Sequence, residues 1–175
     1  MKKLVLSLIA VGMIAGLSNN LQAQTTASAT NNARCTIIAP IAITAGQDLM
    51  FGDVIKGAGD VTVATNGART ILAAMESGTQ LGTIQPAIFT VAGEAAYTYA
   101  ITLPADDTVS ITEGTDPMLL KTFTVLTATD NDADADGTLD ASGADTITIG
   151  ATLQVASDQT PGDYVGTFDV TIAYN

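Results

Sequence analysis

The chain has 175 residues and 17.8 kDa, enough for one domain with a short appendage and too little for two independent cores. It contains no histidine or tryptophan and one cysteine, which excludes Ser-His-Asp triads, Cys-His dyads, histidine-ligated zinc and intramolecular disulfides. Eighteen acidic against 6 basic residues give a net charge of −12 that repels nucleic acid, while 47% apolar and 14% charged residues describe a chain able to bury a core.

Met1-Lys2-Lys3 precedes an apolar run from Leu4 to Leu17, then Ser18-Asn19-Asn20 and Leu21-Gln22-Ala23 before Gln24. This is the grammar of a secretory signal peptide cut after Ala23, and the apolar run is shorter than the roughly 20 residues that span a bilayer. The expected organisation is therefore a signal peptide at 1–23, a flexible segment at 24–32 and one domain at 33–175. Such a chain is exported through the Sec pathway to the periplasm, the cell surface or beyond, with no membrane span in its mature part. Removal of Lys2 and Lys3 makes the remainder still more acidic. Cys35 lies too far past the cut to be a lipidated first residue, and it is expected to be a buried small apolar side chain.

From Cys35 onward the chain is a series of short β-branched runs punctuated by Gly, Asp, Asn and Pro, the pattern of an all-β sandwich or barrel. The first predicted strand is 35–43, within an alternation of Ala33, Cys35, Ile37, Ala39, Ile41 and Ile43. Strands at 49–55, 61–64 and 70–75 follow. Ile71–Glu76 is the best helix candidate, but it is short and has no N-cap pattern, so it reads as strand or loop. Next come 86–92, 97–103 with Tyr97, Tyr99, Ile101 and Leu103 on one face, 108–112 and 119–127.

Asp130 to Asp140 is the most chemical-looking segment. Asp132, Asp134, Asp136 and Gly137 match the first, third, fifth and sixth positions of a calcium loop, but Gly143 stands where a bidentate Glu belongs and no helix is expected on either side. Two readings stand: a solvated acidic hairpin tip, which the incomplete ligand set favours, and weak calcium binding. Asp106 with Asp107, and Glu113 with Asp116, pair carboxylates as glycosidases do, but they sit in turn-like sequence and read as solvated loops. No catalytic residue is assigned and no cofactor is expected.

The last two strands carry the clearest parity. In 145–156, Ile147, Ile149, Ala151, Leu153 and Val155 share one face against threonines and Gln154 on the other. In 163–174 the inward set is Tyr164, Phe168, Val170, Ile172 and Tyr174, interrupted by Gly166. About ten short strands in this length fill one two-sheet, immunoglobulin-like sandwich of antiparallel strands with Greek-key connections.

Several patterns occur in order: Ile38-Ala39-Pro40-Ile41, Asp48-Leu49-Met50-Phe51-Gly52-Asp53, Phe89-Thr90-Val91-Ala92-Gly93-Glu94, Tyr99-Ala100-Ile101-Thr102-Leu103-Pro104, Ile149-Gly150-Ala151-Thr152-Leu153 and Pro161-Gly162-Asp163-Tyr164-Val165-Gly166-Thr167-Phe168. From about Ala33 to Asn175 the chain resembles the bacterial family catalogued as domain of unknown function 4402, exported β-sandwich proteins. Its closing motif is also similar to spore coat U-type proteins and to subunits of archaic chaperone-usher pili. The pilus resemblance implies an incomplete sandwich completed by a neighbour's strand, with other copies or related surface subunits as partners and a periplasmic chaperone. It is β-augmentation, in which main-chain hydrogen bonds and alternate side chains fill an open groove.

The residues expected to carry assembly are Cys35, Ile37, Ile41 and Ile43 at one edge and Tyr164, Phe168, Val170, Ile172 and Tyr174 at the other. Gln24–Asn32 offers only Ala27 and Ala29 to a groove, so the stronger alternation at 33–43 is either the domain's own first strand, the favoured reading, or a donated one. Two functions from different classes follow. The leading one is a non-enzymatic structural or adhesive subunit of a surface polymer. The other is a self-complete monomeric binding module for a glycan or protein, with calcium as a stabiliser.

Overall fold

A computed structural model describes residues 26–57, 59–71 and 82–175. The signal-peptide reading of 1–23 and positions 72–76 of the helix candidate lie outside them. The chain divides into two units, Met1–Thr36 and Ile37–Asn175. In the first, residues 26–36 form no strand and are exposed, Cys35 included. This corrects the expectation of a buried thiol.

The second unit is built from strands: β1 (Ala42–Gln47), β2 (Met50–Phe51), β3 (Gly59–Val63), β4 (Arg69–Ile71), β5 (Ile84–Gln85), β6 (Ala87–Ala92), β7 (Thr98–Thr102), β8 (Val109–Ile111), β9 (Met118–Thr127), β10 (Asp136–Thr138), β11 (Ala144–Val155) and β12 (Thr171–Tyr174). Every pairing between them is antiparallel. The long strand β11 organises one layer. It pairs with β9 along one edge, and along the other with β6 in its first half and β3 in its second. Beyond these lie β8, β1 and β4, completing a seven-stranded sheet among the described residues. The opposing layer is split into a three-stranded sheet, β10-β7-β12, and a two-stranded one, β2-β5. The chain is an all-β sandwich.

Parity places the core. Ile147, Ile149, Ala151, Leu153 and Val155 are all buried, as alternation along one face requires. Ile147 and Ile149 pack with Val91, Tyr99, Ile101 and Leu139 under the three-stranded sheet. Ala151, Leu153 and Val155 pack with Val61, Val63, Met118, Leu120 and Phe51 under the two-stranded one.

In β9 the parity changes in mid-strand. Met118 and Leu120 are buried, then Val125 and Thr127. The shift is a β-bulge: Gly150 and Thr152 of β11 pair with Thr124 and Lys121, so β9 carries one residue more than its partner. Thr122 absorbs it at φ 52°, and the Thr122 N–H donates to Asp106 Oδ1 at 2.7 Å.

Three expectations are corrected. The first strand begins at Ala42, not at 35. Pro40 has no N–H to give a ladder, and Ile37, at 92% exposed, reaches no core. At the other end only Thr171–Tyr174 of 163–174 is strand. The β12–β7 register sets Thr171 opposite Thr102, and its continuation sets Asp169 opposite Pro104, which ends the ladder. The inward set holds nonetheless: Tyr164, Phe168, Val170, Ile172 and Tyr174 are half-buried and their odd-step neighbours exposed. Finally, the acidic segment is no hairpin tip, because β10 lies inside it and pairs with β7 in the opposite layer. Gly137 permits this, since a Cβ there would stand 2.7 Å from Cζ of Tyr99.

Candidate functional site

Where the opposing layer is split, the sandwich is open. A cleft of about 1110 Å³ lies between residues 45–56 on one side and 159–168 on the other. Its floor is the inner face of the large sheet, where Val109 and Ile111 are half-buried and Met118, Leu120, Leu153 and Val155 lie buried beneath. Met50 and Val165, two of the larger exposed apolar side chains, stand on its walls.

One wall is anchored from behind by Arg69, a buried residue whose Nη1 donates to the carbonyls of Phe51 at 2.8 Å and Asp53 at 2.9 Å. The other wall is a strap. Val165 exchanges backbone hydrogen bonds with Thr112 at 3.0 and 3.1 Å, tying the strap to the end of β8. Residues 171–174 then pair with β7 in the other layer. Between these ties residues 166–170 cross from one sheet to the other outside any strand, held by the half-buried Phe168 and Val170. Phe168 meets Phe89 edge-on at 6.1 Å and Phe123 at 5.5 Å. Gly166 lets the strap lie against β8, because a Cβ there would collide with the Ser110 carbonyl. A shallower groove of about 680 Å³, rich in Thr and Ser, lies on the strap's far side.

The end of the cleft is braced by polar contacts. Gln159 Nε2 donates to Asp116 O at 3.1 Å and to Tyr164 Oη at 3.0 Å, Tyr164 Oη donates to Thr160 O at 2.7 Å, and Thr160 Oγ1 donates to Asp116 Oδ2. The neighbouring Glu113 carboxylate accepts from Thr115 Oγ1 at 2.6 Å and from the N–H groups of Thr115 and Asp116, which together hold its pKa down at about 2. Asp116 and Glu113 thus shape a turn, and Asp106 caps the β9 bulge.

Of the predicted assembly residues, Ile41 and Ile43 pack on the core beneath the three-stranded sheet, with Ile172 and Tyr174. Tyr174 also ties β12 to the segment ahead of β1: its hydroxyl accepts from Glu94 N at 2.6 Å and donates to Ala39 O at 3.0 Å, while Ala39 N donates to Glu94 Oε2 at 2.9 Å. Tyr164, Val165 and Phe168 line the cleft. Cys35 and Ile37 belong to no strand.

The calcium candidates Asp132, Asp134 and Asp136 are exposed, and no group of three or more such ligands gathers among the described residues. Asp132 Oδ1 accepts from Ala133 N at 2.7 Å, and Asp136 is the first residue of β10. A carboxylate the motif did not include is the buried one: Asp145 Oδ2 accepts from Tyr99 Oη at 2.7 Å, and Oδ1 from the Thr129 N–H and hydroxyl and the Thr146 N–H. Burial first, and this carboxylate second, push the Tyr99 phenol far above its usual 10.0. The signal for the pair lay in phase: Asp145 falls on the apolar face of its strand.

Among the described residues no helix is long and apolar enough to cross a membrane. No curated protein matches the chain. A family model described as domain of unknown function (DUF4402) matches residues 41–174, from the residue ahead of β1 to the last residue of β12, and the chain belongs to that family.

Proposed function

We propose that the chain is an exported, non-catalytic structural subunit of a cell-surface polymer that assembles by β-strand addition. The observation that carries this reading is the open cleft of about 1110 Å³, floored by core side chains and flanked by the first strands and the closing strap of the domain. An added strand would lay alternate side chains on that floor and offer main-chain groups to the strap. The donor in this reading is another copy of the chain. Ile41 and Ile43 are already used by the subunit's own core and Ile38 is half-buried, so Cys35 and Ile37 are the larger exposed apolar side chains between residues 26 and 40 that remain for donation.

The test is the mass distribution of the exported chain, run in detergent with and without boiling. A ladder of multiples that collapses only on boiling is expected, because a strand buried in another subunit's core dissociates only when that core unfolds. A monomer, or a species that falls apart on dilution, without a boiling-sensitive ladder overturns the reading.

A further inference from the structure

The outer face of the large sheet has the opposite character from the rest of the chain. Ala42, Ala92 and Ala144 lie side by side across β1, β6 and β11, and the next outward row is Thr44, Thr90 and Thr146. Further along β11, Thr148 lies between Ile88 and Leu126, and Thr152 between Thr62 and Lys121. Among the described outward positions of this sheet the charged residues are Lys121 and Asp60, which pair with each other at 3.1 Å. A chain with 18 acidic residues has thus kept the outer face of its seven-stranded sheet free of net charge among the described residues.

We propose that this face is a homotypic docking surface, on which a second copy stacks sheet against sheet. Charge argues for that partner. Two molecules of net charge −12 repel wherever their acidic loops meet, and a face without net charge is where they approach at least cost. A basic partner would find among the described outward positions only the Asp60 carboxylate, already paired with Lys121. Threonine suits self-pairing, because each hydroxyl both donates and accepts and the same residue serves on both sides of a two-fold axis. Thr62 and the buried Thr152 join hydroxyls at 2.8 Å within the face, which leaves the exposed Thr44 and Thr90 and the half-buried Thr146 to meet a partner.

Area argues likewise. The seven strands hold 45 residues, which at about 3.3 Å along and 4.8 Å across the strands present roughly 700 Å². Stable interfaces take about 600–1,000 Å² from each partner. This surface faces away from the cleft floor, so the inference is independent of strand addition.

The experiment is sedimentation equilibrium of the full exported chain over a wide concentration range, at low and high salt, against Thr90→Lys/Thr146→Lys. The wild type is expected to form a dimer that dilution reverses and salt strengthens, as screening weakens the general repulsion. The double variant should associate at least about tenfold more weakly. It carries fewer net negative charges, so a general charge effect would strengthen association instead. Circular dichroism and melting establish that it folds. If it does not, Thr44→Lys, at an exposed position on β1, gives the decision.

Strand-added multimers survive dilution and unheated detergent, so failure of one proposal is distinguishable from failure of the other. A wild type monomeric at every concentration overturns the inference, as does a folded variant that associates like the wild type. A monomer that adsorbs through these threonines to a solid polysaccharide also overturns it.

Discussion

Tyr99 and Asp145 show what one buried polar pair does in a sandwich of this size. The tyrosine ring is fully buried and its hydroxyl satisfies a carboxylate that also takes three hydrogen bonds from Thr129 and Thr146. The pair joins the layers, since Tyr99 belongs to β7 and Asp145 to β11. Tyr99→Phe keeps the ring and removes one donor to an ion, so a loss of about 1.5–3 kcal/mol in urea unfolding is expected. The pH dependence has a definite sign. The folded chain holds the Tyr99 proton above the usual 10.0, where the unfolded chain releases it. Stability is therefore full below pH 10 and falls as pH rises beyond it, by up to about 1.4 kcal/mol per unit for this group. Urea midpoints at pH 9 and pH 11 should diverge more in the wild type than in Tyr99→Phe; equal slopes would remove the phenol as the cause.

Strand β9 shows how an element depends on a single irregular residue. Without the bulge, the register that buries Met118 and Leu120 would turn Val125 and Thr127 outward. A β-branched residue in the left-handed region costs about 1–2 kcal/mol, more than the roughly 0.5–1 kcal/mol entropic cost of glycine. Thr122→Gly should therefore raise stability by about 0.5–1 kcal/mol. Asp106→Ala, which removes the cap on the Thr122 N–H, should lower it by about 0.5–1.5 kcal/mol. Opposite signs in the same denaturation assay support the bulge, and matching signs count against it. This element also marks the limit of sequence reading. Alternation located the buried faces of β11 and of 164–174, because a period of two is visible wherever one face is apolar. It missed β10, whose Asp136-Gly137-Thr138 is turn grammar in composition and strand only because β7 offers an edge. The cleft was not legible in the residues, since missing pairing leaves no mark in composition; its walls depend on Pro104 ending one ladder and on Arg69 holding Phe51 and Asp53.

At the scale of the whole molecule, the cleft follows from a mismatch between layers. Seven strands form one layer among the described residues, and the other is divided between three and two, so part of the apolar inner face is covered by side chains of the walls, such as Phe51 and Tyr164, instead of by a continuous sheet. The proposed added strand would enter along that interruption. Two substitutions on the same closing segment separate its roles. Val165 is 71% exposed on the rim, so Val165→Asp should leave the melting temperature of the isolated subunit nearly unchanged. In a filled cleft that carboxylate would lie against the added strand without a partner, and the boiling-sensitive ladder should disappear. Ile172 lies in β12 against the core beneath the three-stranded sheet. Ile172→Asp should cost about 3 kcal/mol or more and prevent accumulation of folded chain. A Val165→Asp subunit that melts normally and still forms the full ladder would place strand addition elsewhere on the molecule. Loss of the ladder with an unchanged melt would locate it at the strap.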